Sequence, residues 1–106
     1  MTAWFYLFVA AMFEVGWPVG LKMTEISSVK FGWIVFSVVA MILSGFFLYM
    51  AQKTIPIGTA YAVWTGIGAS CTFTVGILFF HDVISLIRFL GIALIILGVM
   101  CLKYGH

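Results

Sequence analysis

The sequence predicts an all-α integral membrane protein, a bundle of four transmembrane helices, and three observations predict it. The 106 residues are 65% hydrophobic and 8% charged, more apolar surface than a soluble domain of this size hides in one core. The apolar residues fall into four runs, each near the ~20 residues that cross a hydrocarbon layer of roughly 30 Å. Charged side chains collect almost entirely between those runs. Five Lys+Arg against three Asp+Glu, a formal net charge of +2, reflect scarcity of charge more than a basic stripe able to neutralise phosphates, so nucleic-acid partners are excluded. Membrane lipid is the expected environment.

The first span, expected over about 2-22, holds Glu14 as its only charged side chain up to Leu21. It lacks the positive start of a signal peptide and carries an acid in its apolar part, so it is expected to remain in the mature protein. A polar connection, Lys22 to Lys30, leads to the second span, about 31-51, uncharged until Gln52 and Lys53. Pro56 marks a turn and a helix start. The third span, about 57-80, is again uncharged, and His81 and Asp82 form a tight loop after it. The fourth, about 84-103, is apolar except for Arg88, close enough to one end to snorkel to the interface. These elements and their short connections use nearly all of residues 1-106, read as a single membrane domain, so function is expected within the bilayer. Trp4, Tyr6, Trp33 and Tyr104 lie near span ends, as an interfacial belt requires. Cys71 and Cys101 sit in apolar runs without metal or redox spacing and read as packing residues; no metal or cofactor is expected.

Loop charge is nearly balanced. Lys53 and Lys103 fall on the face that bears both termini, Lys22, Lys30 and Arg88 on the other. Since Lys and Arg in short loops set orientation, so small a bias suits a chain that inserts both ways and pairs antiparallel; it also suits chance in a short protein.

The chemistry centres on Glu14. A charged carboxylate near mid-span costs roughly 2.5 kcal/mol or more. It is either neutral glue between helices or a site where protons and cations exchange. Helical spacing puts Leu7, Ala10, Trp17 and Leu21 on its face. On the third span Tyr61, Trp64, Thr65 and Gly68 share a stripe, and on the second Ser37 and Ser44 lie seven residues apart, with Ser44 deep enough to reach a carboxylate. Aromatic faces around one carboxylate suit a small organic cation, although Trp17, Tyr61 and Trp64 also read as packing residues and Ser44 as bonding its own backbone. Ala62, Gly66, Ser70 and Thr74 form a small-residue strip, and Gly91 and Gly98 a second, both allowing close helix contact. Gly66 and Gly68 weaken the third helix at its middle, where it can bend.

These residues carry a resemblance. Phe13-Glu14-Val15, the run Lys53-Thr54-Ile55-Pro56-Ile57-Gly58-Thr59-Ala60-Tyr61-Ala62-Val63-Trp64-Thr65-Gly66-Ile67-Gly68, and the ending Gly98 to Lys103 are similar to the small multidrug resistance family over essentially the full length. Trp17, Leu21-Lys22 and Ser44 resemble its guanidinium-exporter subtype, while Pro18 and the pair His81-Asp82 depart from the usual pattern. The resemblance implies an antiparallel homodimer in a prokaryotic inner membrane, not an enzyme, that exports guanidinium and small guanidinyl cations in exchange for protons. It implies that Glu14 of both chains serves substrate and proton in turn, that Tyr61 and Trp64 line the site, that Gly66 to Gly68 lets the third helix kink, and that Gly91 to Gly98 dimerises. Two alternatives share the same acid: a polyspecific quaternary ammonium exporter of that family, and a non-transporting membrane subunit with Glu14 as glue.

Overall fold

The computed structural model describes residues 2–105. They form four α-helices and, among the described residues, no strand: α1 (Thr2–Ile26), α2 (Lys30–Gln52), α3 (Ile57–Phe79) and α4 (Leu86–Gly105). Each is long and apolar enough to cross a membrane.

The helix ends follow local chemistry more than the apolar runs. α1 continues a turn past Lys22, because Lys22 pairs with Glu25 at 3.1 Å and Lys30 Nζ donates to the Thr24 carbonyl at 2.6 Å. These bonds hold a polar extension helical outside the apolar run. α3 stops at Phe79, one residue short of the expected end, where the Gly76 carbonyl accepts from the backbone N–H of both Phe80 and Asp82, each at 3.1 Å. His81, with φ 60°, takes the left-handed conformation that the turn needs, and His is among the residues enriched there. α4 starts at Leu86, two residues later than expected, because the Ser85 hydroxyl accepts from the Arg88 N–H at 3.3 Å and so caps the first turn. The Arg88 guanidinium donates to the Val83 carbonyl at 2.6 Å and stacks over Phe73.

α1 packs against both α2 and α3, and α4 leans on α3. The Cα positions fill a slab of 45 × 34 × 17 Å. Its packed cluster, Leu7, Ala51, Ile55, Ala60 and Val63, joins the start of α1, the end of α2 and the start of α3. At the other end the helices stand apart: a cavity of about 240 Å³ lies between α1 and α3, and a wider cleft of about 480 Å³ opens around Met23, Trp33 and Phe79. Packing is therefore tighter around Leu7 and Val63 than around Pro18 and Phe80.

α4 docks where α3 is smallest. A Cβ placed on Gly66 would meet Val99 Cγ2 at 2.7 Å and Ile95 at 3.3 Å, so the approach depends on glycine. Along the same strip Ser70 and Thr74 turn their hydroxyls back to the carbonyls of Gly66 and Ser70, at 2.8 and 3.0 Å, satisfying themselves within α3. The helix runs unbroken through Gly66 and Gly68. α4 buries no residue, and nothing lies within 4 Å of a Cβ built on Gly91 or Gly98.

Candidate cation site around Glu14

Glu14 stands half-buried in mid-α1, turned toward α3. The contact is close: a Cβ on Gly68 would lie 2.6 Å from Glu14 Cγ and 3.1 Å from its Cβ. Glycine at 68 makes room for the acid. One turn along α1, the Trp17 indole Nε1–H donates to Glu14 Oε1. The bond holds one oxygen of the carboxyl group toward Trp17.

Ser44 is 1% exposed, and its hydroxyl is spoken for. It donates to the Ala10 carbonyl at 2.7 Å and accepts from Trp64 Nε1 at 2.8 Å. Ala10 is four residues before Glu14, so its carbonyl is also the helical acceptor of the Glu14 N–H. Ser44 thus clamps the turn that carries the acid, joining α1, α2 and α3, and makes no hydrogen bond to the carboxylate itself. The expectation that Ser44 reaches the carboxylate is corrected to this indirect grip, because a hydroxyl has one proton to donate and the closer carbonyl takes it. Ser37, its neighbour on the α2 face, is 3% exposed and packs on Gly20 with its Oγ unpartnered.

Trp64 carries the site outward. Its ring lies 5.5 Å from that of Tyr61, tilted by 53°, and Tyr61 is 57% exposed. Thr65, on the same sequence stripe, is exposed and joins no bond to this group. Glu14, Trp17 and Gly68 are thus in direct contact, Ser44 and Trp64 form a second linked pair, and Tyr61 borders the latter. The Ala10 carbonyl is a member of the group that helical spacing alone does not single out, and Gly68, expected as a weak point of its helix, is also the surface on which Glu14 rests. The signal for Gly68 was its place seven residues after Tyr61, on the face that bears Trp64.

Two comparisons bear on what such a site belongs to. The family model described as Small Multidrug Resistance protein matches residues 2–95. The chain belongs to the small multidrug resistance family. Curated members cover it almost end to end. A guanidinium exporter of Proteus vulgaris is 42% identical over 95% of this chain and 96% of its own length. Guanidinium exporters of Yersinia pseudotuberculosis and Escherichia coli K12 are each 44% identical over 95% of this chain, and over 96% and 95% of their own lengths. As a small multidrug resistance protein with four apolar helices, the chain is a multi-pass membrane transporter of a small molecule and not an enzyme.

Proposed function

We propose that this chain exports guanidinium and small guanidinyl cations in exchange for protons, acting as an antiparallel pair of identical chains in a prokaryotic inner membrane. The observation that carries the reading is the Glu14 carboxylate resting on Gly68 with one oxygen held by the Trp17 indole. An oriented carboxylate takes a planar guanidinium through two parallel N–H···O bonds, and an ionised carboxylate offers about four acceptor positions, of which Trp17 uses one. The names of the relatives agree with this chemistry.

The cycle follows from charge. The ionised form of Glu14 binds the cation, which offsets the cost of a charge within the membrane. A proton arriving from the other side neutralises the same carboxylate and releases it. Since proton and cation compete for one group, the carrier crosses loaded with one or the other, and the proton gradient drives export. Antiparallel pairing is supported by the near balance of loop charge and by α4, which buries nothing in a single chain and leaves its Gly91 and Gly98 face open. Tyr61 and Trp64, whose rings lie 5.5 Å apart, supply the aromatic side of the proposed site. Their aromatic faces also favour a second reading, export of quaternary ammonium ions.

Proteoliposomes loaded with the purified protein, given guanidinium or a tetraalkylammonium ion under a pH gradient, decide between them. The expected result is proton movement coupled to guanidinium in the wild type and none in Glu14→Gln, whose amide keeps the shape but cannot ionise. Coupled transport by the Gln variant removes Glu14 from the mechanism. A wild type that moves tetraalkylammonium and ignores guanidinium selects the second reading.

A further inference from the structure

Pro18 lies inside α1, four residues after Glu14. Proline has no N–H, so the helical bond that would close on the Glu14 carbonyl oxygen has no donor. In a membrane such a freed carbonyl is normally satisfied by a neighbouring side chain or water. Here, among the described residues, the side-chain donors to backbone carbonyls end on Ala10, Leu21, Thr24, Gly66, Ser70 and Val83, and none ends on Glu14. Nor does a backbone N–H from outside the helix go to it. The Pro18 ring, which occupies the place of the missing donor, lines the cavity between α1 and α3 together with Thr72 and Gly76. The Glu14 to Pro18 turn therefore offers two acceptors of one residue, a carboxylate drawn toward Trp17 and a carbonyl without its usual helical donor or a side-chain donor, one turn before the proline that lines the cavity.

We propose that the Glu14 backbone carbonyl is a second acceptor for the bound guanidinium, released for that purpose by Pro18. This rests on the guanidinium reading above and assigns the substrate a further contact. A guanidinium ion has N–H groups on three edges. The carboxylate takes one edge, and a donor on an adjacent edge is left for the carbonyl of the same residue. A quaternary ammonium ion has no donor to give it. Pro18 is thus a positioning residue that acts on the substrate through Glu14, and it adds discrimination in favour of N–H-bearing cations.

The chain contains only two glutamates, Glu14 and Glu25, which makes a direct test possible. Protein carrying Glu25→Gln and made with uniformly ¹³C-labelled glutamate reports, by solid-state NMR in liposomes, the backbone carbonyl and the side-chain carboxyl of Glu14 alone. Guanidinium is expected to shift both signals. In Pro18→Ala the restored N–H bonds the carbonyl beforehand, so its signal starts at the hydrogen-bonded position and stays there while the carboxyl still shifts. Guanidinium affinity in that variant is expected to fall about tenfold, the worth of one hydrogen bond to a charged donor, whereas protonated 1,5,7-triazabicyclo[4.4.0]dec-5-ene, a guanidinium whose two N–H groups lie on one edge and are both taken by the carboxylate, binds as before. Alanine favours a helix, so loss of fold does not confuse the result. A carboxyl that shifts with guanidinium while the carbonyl stays still, or equal guanidinium affinity with and without Pro18, overturns the proposal and leaves the antiporter standing. If neither signal moves in the wild-type site, both this proposal and the guanidinium reading fall.

Discussion

Trp17 and Gly68 act on Glu14 from opposite sides and by different physics. Trp17 supplies a donor, and its effect is electrostatic and directional; Gly68 supplies absence of volume, and its effect is steric. The steric one makes the sharper test. Glycine in a helix interior is less favourable than alanine by about 1 kcal/mol, so Gly68→Ala would stabilise α3 if flexibility were the whole role of the glycine. The added methyl instead meets Glu14 Cγ at 2.6 Å, a separation that real Cβ atoms do not adopt, and the clash is with atoms near the α1 backbone. The acid has to move. Gly68→Ala is expected to keep or raise helix content by circular dichroism while lowering guanidinium affinity tenfold or more in a binding titration. Unchanged affinity would show that the acid tolerates another position and that the contact with Gly68 is incidental.

Helices here are joined by few polar bonds, and the Ser44 hydroxyl carries two of them between three helices. Its removal strands the Trp64 indole N–H, half-buried and without its acceptor, and leaves the Ala10 carbonyl with its helical partner only. A buried polar group left unpaired costs about 1 to 3 kcal/mol. Because Ser44 holds the turn of α1 and not the carboxylate, Ser44→Ala is expected to lower the thermal midpoint of the detergent-purified protein and to weaken guanidinium and tetraalkylammonium binding by similar factors. A loss confined to guanidinium would mean that the hydroxyl turns to the carboxylate in the substrate-bound conformer. The contrast with Ser37 is instructive: it lies on the same α2 face seven residues away, equally buried, yet bonds nothing. Spacing on a helix places two serines in line but does not supply partners for both.

The whole molecule is a thin slab that turns most of its large apolar side chains outward. Packing is dense around Leu7 and Val63 and loose around Pro18 and Phe80, so the space one turn beyond Glu14, at Pro18, lies toward the end of the loops 27–29 and 80–85. In the proposed antiparallel pair, the inverted copy would place the same space toward the opposite side of the membrane, as the proposed exchange requires. Orientation rests on few charges: Lys53 and Lys103 on one face, Lys22, Lys30 and Arg88 on the other. Two lysines added beside Lys53 are expected to drive most copies into one orientation, measured by cysteine accessibility, and to cut guanidinium export by the homomeric protein severalfold or more. Co-expression with an oppositely biased copy restores it. Full export by the biased chain alone would refute antiparallel pairing.

What the sequence determined by itself were the properties that depend on one helix and its solvent. Span number follows from run length, because in lipid each backbone must satisfy its own polar groups and an apolar run of about 20 residues has no other stable form. Glu14 stands out because one charge in a span is expensive wherever the neighbours lie. Trp17 could be placed on its face because a separation of three is local to a helix, and the bond is there. Helix ends were less legible, since Lys22, Glu25, Ser85 and His81 set them through bonds outside the apolar run. Tertiary structure alone decided which glycine received which neighbour and where the Ser44 proton went. Glu14 rests on Gly68, Val99 on Gly66, and Ser44 on Ala10. Lipid is as apolar as the side chains that face it, so the buried and exposed faces of these helices carry little difference in hydrophobicity to read. Their relative rotation and register are settled by shape and by a few hydrogen bonds, which exist only once the helices have met.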